Sequence, residues 1–229
     1  MARLVGGLFG SLSGKVGDIV YRSRGGKTVV AAPPRKRGSP RTEHEIKLGK
    51  IFGLTGKIAR GINAIELLKY FWHPKAARNQ SCYNIIFKKN YGRINFEDLR
   101  GGVLLTPETG FEIMDPSLYP GESNLVIECK AFGYSSAFDT KIEKYVIVAG
   151  IAVLKNPIRE HIDEYSVLSF KSKKYILYPN DYLSLNIEFS GCSRTLFEYY
   201  SLKKVFANFI TLDEEEAPVQ HSMAFSNKD

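Results

Sequence analysis

The sequence contains few of the residues from which metal and redox sites are usually built. It has three cysteines, Cys82, Cys129 and Cys192, and four scattered histidines among 229 residues. The cysteines are too few and too widely spaced for a zinc site or a disulfide framework, and no histidine has a second ligand at metal-binding spacing. We therefore expect three reduced cysteines, no bound metal and no cofactor.

Sequence motifs of catalysis are also missing. There is no G-x-S-x-G motif and no defensible Cys–His pair. The segment Gly10–Val16 differs from a phosphate-binding loop, because its glycines are one residue too close together and no Ser or Thr follows Lys15. The sequence predicts no catalytic residues and no small-molecule substrate, so we expect a protein that is not an enzyme.

Long hydrophobic runs are absent as well. The apolar stretches are far shorter than the roughly 18 residues that a membrane span needs, and Met1–Leu12 lacks the layout of a signal peptide. We expect no membrane span and a protein that starts in the cytoplasm. A hydrophobic content of 44%, with 13 Tyr and 14 Phe, is enough for a substantial core and for aromatic interfaces.

The positive charge is concentrated at the N-terminus. The whole chain has a formal net charge of +8, and residues 1–42 alone account for it, since the remainder is balanced. In those 42 residues Asp18 is the one acid, against these basic residues: Arg3, Lys15, Arg22, Arg24, Lys27, Arg35, Lys36, Arg37 and Arg41. A basic segment on a neutral body suggests an arm that ties the body to another molecule.

The basic arm contains a predicted β-hairpin. Residues 1–14 are apolar but rich in glycine, which favours an extended segment over a helix. Val16–Tyr21 and Lys27–Ala31 have strand composition, and Gly25-Gly26 between them suits a tight turn. An isolated hairpin is marginal in water, so this one must dock on its own body or on a neighbour. The residues that we expect at a subunit interface are Val16, Ile19, Val20, Tyr21, Gly25, Gly26, Val29 and Val30.

A basic linker follows the hairpin. Three prolines between 32 and 41 forbid regular pairing and favour an extended chain. Arg35, Lys36, Arg37 and Arg41 could contact the phosphates of a nucleic acid or an acidic partner protein. They could equally keep a linker solvated.

Two helices are predicted after the linker. Thr42 and Glu45 form a capping box, and an apolar stripe from Ile51 to Ile65 follows it at helical spacing. Gly49, Gly53 and Gly56 lie on another side, where they allow close approach of a second chain. The alternative is that Gly56 and Gly61 break the element into two shorter helices. Pro74–Asn90 is predicted as the second helix, ended by Tyr91-Gly92.

From about residue 103 the pattern changes to short strands separated by turns, which predicts an antiparallel β-sandwich. The acidic segment that begins at Asp213 predicts a tail, either solvated or in contact with the basic arm of a neighbouring copy. The predicted strands are Val103–Leu105, Phe111–Met114, Asn124–Ala131, Tyr145–Leu154, Tyr165–Phe170, Tyr175–Tyr178, Tyr182–Phe189 and Thr195–Leu212.

Four motifs follow one another at the N-terminus: a Gly-Lys-Val-Gly-Asp-Ile-Val-Tyr strand from Gly14, a Val-rich second strand, a basic Pro-containing linker and the Thr42 helix start. This order of motifs, over about residues 1–75, resembles that of phage and prophage virion-type proteins, and of a Bacteroidetes family of unknown function. Glu45 replaces the more usual Gln. The resemblance implies a structural component of a phage or phage-like particle, with no catalytic residues to transfer.

Together these patterns predict an α+β protein: an arm with a hairpin and linker (1–41), a helical segment (42–100), an antiparallel β-sandwich (101–212) and a tail (213–229). We expect a tail-associated or capsid-associated protein of a virion or phage-like particle, assembled in the cytoplasm, whose partners are copies of itself and other particle proteins. The alternative is a nucleic-acid-binding protein that uses the basic cluster at 35–41.

Overall fold

The chain is an α+β protein with a β-rich C-terminal part. A computed structural model describes residues 3–5, 11–24, 27–33, 38–75, 80–107, 110–130, 138–178 and 181–227. The chain divides into two compact units, Met1–Ile46 and Lys47–Asp229.

The first unit contains a four-stranded antiparallel sheet whose strands follow chain order. The strands are β1 (Arg3–Val5), β2 (Ser11–Val16), β3 (Ile19–Arg24) and β4 (Lys27–Ala31). The predicted hairpin is confirmed for β3 and β4, which pair from Val20–Ala31 to Arg24–Lys27.

The prediction of a single strand over Val16–Tyr21 is wrong. Gly17 and Asp18 form a two-residue turn between β2 and β3, with Val16 paired to Ile19. Gly17 has a φ of +55°, a conformation that glycine adopts without the penalty of a Cβ. The arm is therefore a meander rather than one hairpin with a loose leader.

The helix α1 (Glu43–Ala64) begins with the predicted capping box. The Glu45 amide donates to Thr42 Oγ1 at 3.3 Å, and the Thr42 amide donates to Glu45 Oε2 at 2.9 Å. This reciprocal pair satisfies two N–H groups at the helix start.

The glycines of α1 do not break the helix, which is continuous from Glu43 to Ala64. Gly53 and Gly61 face side chains of the same chain. A Cβ on Gly61 would lie 3.1 Å from atoms of Val167 and Ser169, and one on Gly53 would overlap the hydroxyl of Tyr165. These glycines let the helix pack closely on a strand of its own chain. A Cβ on Gly49 would meet nothing within 4 Å.

Two shorter helices follow, α2 (Glu66–Trp72) and α3 (Cys82–Asn90), with a 3-10 turn at His73–Lys75. The predicted helix over Pro74–Asn90 is thus too long at its start. Ser81 is the N-cap of α3 and accepts from the Asn84 amide at 3.3 Å.

The remaining strands of the second unit form two antiparallel sheets. The elements are β5 (Ser117–Pro120), β6 (Asn124–Cys129), β7 (Tyr145–Pro157), β8 (Tyr165–Lys171), β9 (Tyr175–Ile176), β10 (Leu183–Glu188), α4 (Gly191–Glu198), β11 (Tyr200–Leu212), β12 (Pro218–His221) and β13 (Phe225–Ser226). The large sheet has the order β12-β11-β7-β8, with β13 also paired to β11 and β9 to β7; the small sheet has the order β10-β6-β5.

The large sheet is covered on both faces. Odd-numbered residues of β7, such as Ile151, share a core with the helices α1, α2 and α3. Even-numbered residues, such as Val148, share a second core with the small sheet and α4. The sandwich therefore consists of the two sheets, and the helices α1, α2 and α3 form a third layer on the outer face of the large sheet.

Three strand predictions need correction. Val103–Leu105 and Phe111–Met114 are not strands, although Val103 and Leu105 are buried in the helix-side core. Thr195–Leu212 is divided, because its first residues end α4, where Phe197 is fully buried and Arg194 forms an ion pair with Glu198.

The C-terminal segment is not a solvated tail over the residues that the structure describes. β12 and β13 both pair with β11. The Ser222 amide also donates to the Phe209 carbonyl at 2.8 Å. The acidic residues before β12 belong to the turn that brings the chain back onto the sheet.

Candidate assembly interface

The N-terminal sheet has one apolar face. Residues paired across neighbouring strands share a face, so the pairs Val16–Ile19 and Tyr21–Val30 place all four side chains on the same side. Val16 is 55% exposed, Ile19 42% and Val30 58%, and Tyr21 is half-buried. Four predicted interface residues are thus brought together on a single exposed apolar surface, which we call the apolar face.

The opposite face of the same sheet is basic. Lys15, Val20 and Ala31 form one cross-strand row, and Arg22 and Val29 form the next. Lys15 and Arg22 are both exposed. The other two predicted strand residues, Val20 and Val29, therefore lie on this basic face rather than with the apolar group.

The sheet has no core of its own among the described side chains. Between residues 13 and 46 none of the side chains that the structure describes is buried. The second unit, in contrast, buries side chains on both faces of its large sheet. A single-layer sheet gains little from hydrophobic burial, which is the main favourable term in folding, so the apolar face keeps much of its apolar area exposed in the single chain.

Several predicted site residues lie outside the described residues. These are Gly25 and Gly26 of the expected turn and Arg35, Lys36 and Arg37 of the basic cluster. Arg41, the remaining member of that cluster, is exposed.

The Gly17-Asp18 turn and the division into two faces were missed from the sequence. Both have a signal there, since Gly-Asp between two β-branched residues is a hairpin dipeptide. Once the turn is placed at Gly17, alternation along β3 assigns Ile19 and Tyr21 to one side and Val20 and Arg22 to the other.

The second unit has one cleft that merits inspection as a chemical site. It has a volume of about 770 Å³, and its lining includes Glu122, Glu198 and Lys203. Burial lowers the pKa of Lys203, against the opposing effect of the two carboxylates. The ammonium, however, donates to the Gly121 carbonyl at 2.7 Å and lies 4.2 Å from the centre of the Phe197 ring. This lysine fastens β11 to the turn between β5 and β6.

A buried polar cluster lies under the C-terminal strands. The Asn208 amide nitrogen donates to Thr106 Oγ1 at 3.1 Å and to the Ser222 carbonyl at 2.9 Å, and His221 Nδ1 lies 3.1 Å from Thr106 Oγ1. These groups join the 103–107 loop to β11 and to the end of β12. Within the described ranges, no three His, Cys, Asp or Glu side chains are grouped so as to hold a metal ion.

No protein-family model matches the sequence, and no curated protein is significantly similar to it. Among the described residues, none of the helices has the length and apolar character needed to cross a membrane.

Proposed function

We propose that this chain is a structural protein of a phage or phage-like particle, associated with the tail or the capsid, and that it assembles with copies of itself through the N-terminal sheet. The observation that carries the proposal is the apolar face, on which Val16, Ile19 and Val30 are about half exposed. The order of motifs in residues 1–75, which resembles that of virion-type proteins, supports the particle as the setting.

The proposed mechanism is strand addition. The arm of one copy reaches a neighbour, where its strands extend an exposed sheet edge and its apolar face is covered. Main-chain hydrogen bonds then contribute affinity, and the side chains select the edge. Because each contact in a lattice is repeated, weak single contacts still give a stable assembly through multivalency.

Nucleic acid is the alternative partner. Lys15 and Arg22 give the arm one basic face, and Arg41 is exposed beside it in the sequence. Phosphate contacts, however, leave the apolar face unexplained, since they draw on charge rather than on apolar area. A protein partner accounts for both faces.

The test removes residues 1–40 and retains Thr42, so that the cap of α1 is intact. We expect circular dichroism to show a folded chain and light scattering to show a smaller species than the full-length protein. Oligomers of unchanged size after the deletion would contradict the proposal.

The nucleic-acid alternative is tested with the full-length chain and with a variant in which the basic cluster is neutralised. If the arm binds nucleic acid, the full-length chain binds DNA with an affinity that falls steeply with salt, and neutralising Arg35, Lys36, Arg37 and Arg41 abolishes this binding. Salt-insensitive or absent DNA binding, together with arm-dependent oligomers, supports assembly.

A further inference from the structure

We propose that the open edge of β10 is the acceptor for the arm, and that β4 of another copy pairs with it in parallel. This inference rests on the proposed function, which it extends by naming the edge, the strand and its direction. In the single chain, β4 and β10 end separate sheets, and among the described strands β10 pairs with β6 alone and β4 with β3 alone.

The backbone groups that β10 offers at its open edge follow from one hydrogen bond. The Phe189 amide donates to the Ser123 carbonyl at 3.0 Å, in register with the β10–β6 pairing. Hydrogen-bonded and non-bonded pairs alternate in an antiparallel ladder, so the odd-numbered residues face β6. The N–H and C=O groups of Ser184, Asn186 and Glu188 therefore point to the open edge.

The same reasoning applies to β4. The Val16–Ile19 pair closes a two-residue turn and is hydrogen-bonded, so the even-numbered residues of β3 face β4. In β4 the odd-numbered residues, including Val29, then face β3. The backbone groups of Thr28 and Val30 are left at the open edge.

Direction follows from matching the faces. In parallel pairing, edge-facing residues of one strand lie opposite residues of the other whose backbone faces away. Val30 then shares a side with Leu185 and Ile187, which are buried in the sandwich core. Antiparallel pairing would place Val30 beside the exposed Asn186 and Glu188.

Charge supports the same direction. The outer face of the small sheet carries Glu128, which is half-buried, and Glu188, which is exposed. Parallel pairing sets this acidic face in line with the basic face of the arm, where Lys15 and Arg22 lie. Where β4 pairs with β10, the apolar face of the arm then continues the core side of the small sheet, and the basic face continues its acidic side. Opposite charges on neighbouring strands stabilise the pairing.

Other edges of the second unit are less suitable acceptors. β5 ends in Pro120, which has no N–H to offer to an added strand. On β8 the Tyr165 carbonyl already accepts from Lys57 Nζ at 2.9 Å. On the β12 side, the His221 carbonyl accepts from the Phe111 amide at 3.0 Å. On β10, among the described residues, no hydrogen bond engages the edge-facing backbone groups of Ser184, Asn186 or Glu188.

The first test compares Asn186→Pro with Asn186→Ala in the full-length chain. Both lose the Asn124–Asn186 side-chain hydrogen bond of 2.9 Å. Only proline removes the edge-facing N–H, and a proline whose N–H faces outward is tolerated in an edge strand. We expect Asn186→Ala to keep the wild-type oligomer size and Asn186→Pro to reduce it. Equal sizes for the two variants, both folded by circular dichroism, would overturn the assignment of the edge.

The second test does not depend on the folding of a proline variant. In a Cys192→Ser background, copies with Val29→Cys are mixed with copies that have cysteine at 184, 186 or 188, and the mixture is oxidised. Parallel pairing predicts intermolecular disulfides from position 29, since these side chains share a face, and none when Val30→Cys replaces Val29→Cys.

The outcomes separate the two proposals. Disulfides from position 30 rather than 29 overturn the parallel direction. Oligomers that depend on the arm but give no disulfide to β10 overturn the acceptor edge and leave self-assembly standing. A wild-type chain that is monomeric at every concentration overturns both.

Discussion

Replacing the apolar face with threonine isolates the contribution of hydrophobic contact to assembly. The variant carries Val16→Thr, Ile19→Thr and Val30→Thr. Threonine is β-branched and favours strands as valine does, so the sheet retains its intrinsic preference. The change removes apolar surface without shortening the side chains to alanine.

The expected loss of association free energy follows from the exposed fractions of the three side chains. Fully burying a Val or Ile side chain contributes about 1.5–3 kcal/mol, and these three are 55%, 42% and 58% exposed in the single chain. Covering the exposed part of each side chain on association contributes about 1 kcal/mol at each position. Losing all three weakens association by about 3 kcal/mol, or roughly two orders of magnitude in Kd.

Sedimentation velocity over a concentration series measures this shift. The matched control is Val20→Thr, on the basic face of the same sheet and in β3 rather than at the β4 edge. It makes the same chemical change at a neighbouring position, and we expect it to leave Kd within about threefold of wild type, or roughly 0.7 kcal/mol. A triple variant that assembles like wild type, or a control that weakens assembly equally, would refute the role of the apolar face.

Three further predictions concern the second unit. Gly150→Ala lowers the thermal unfolding midpoint, because its Cβ would overlap a backbone carbonyl of β11, whereas Gly49→Ala raises it, since the site is open and alanine favours the helix by about 1 kcal/mol. Lys155→Met lowers the free energy of unfolding in urea by about 2 kcal/mol, because the Phe96 and Glu97 carbonyls lose the Lys155 ammonium that donates to them at 2.8 and 2.6 Å. An unchanged urea midpoint would contradict this. With iodoacetamide at pH 8, Cys192 reacts in the folded protein and Cys129 does not, since Cys192 is exposed while burial raises the pKa of Cys129 to about 11; mass spectrometry locates the label, and early labelling of Cys129 would show that its strand opens.

Local signals predicted the elements whose stabilising contacts are close in sequence. The Thr42–Glu45 capping box uses a contact over three residues, and β3 and β4 pair across a two-residue gap. In such cases the residues whose contacts stabilise the element all lie within the short segment from which it was predicted. The strand predicted over Tyr182–Phe189 is likewise a local pattern, and β10 lies within it with Leu185 and Ile187 buried.

The errors at α4, β12 and β13 occur where a distant contact decides the structure. α4 ends within a stretch of strand-like composition, and Phe197 holds it against the sandwich core. β12 and β13 are only four and two residues long, and they are strands because β11 offers them an edge. No short window of sequence contains that information.

The candidate site was predicted in part from β-propensity alone. That reasoning grouped the predicted interface residues without separating the two faces; the set was Val16, Ile19, Val20, Tyr21, Gly25, Gly26, Val29 and Val30. The separation depends on Gly17, since a turn at that position fixes the register of β2 on β3.

The strand β7 is buried at every residue from Val146 to Leu154. Such an unbroken apolar run in the sequence indicates that both faces of the strand are covered.

The proposed pairing of β4 with β10 also constrains the form of the assembly. It is heterologous, because the donor edge and the acceptor edge are different surfaces of the chain, and each copy provides one of each. Such contacts close into rings if the rotation between copies allows it, and otherwise extend as filaments. A copy without its arm still accepts a neighbour but cannot donate, so it ends a filament or opens a ring. Sub-stoichiometric arm-deleted protein should therefore shorten the assemblies of full-length protein, whereas an isologous contact between two apolar faces would yield dimers that such chains do not terminate.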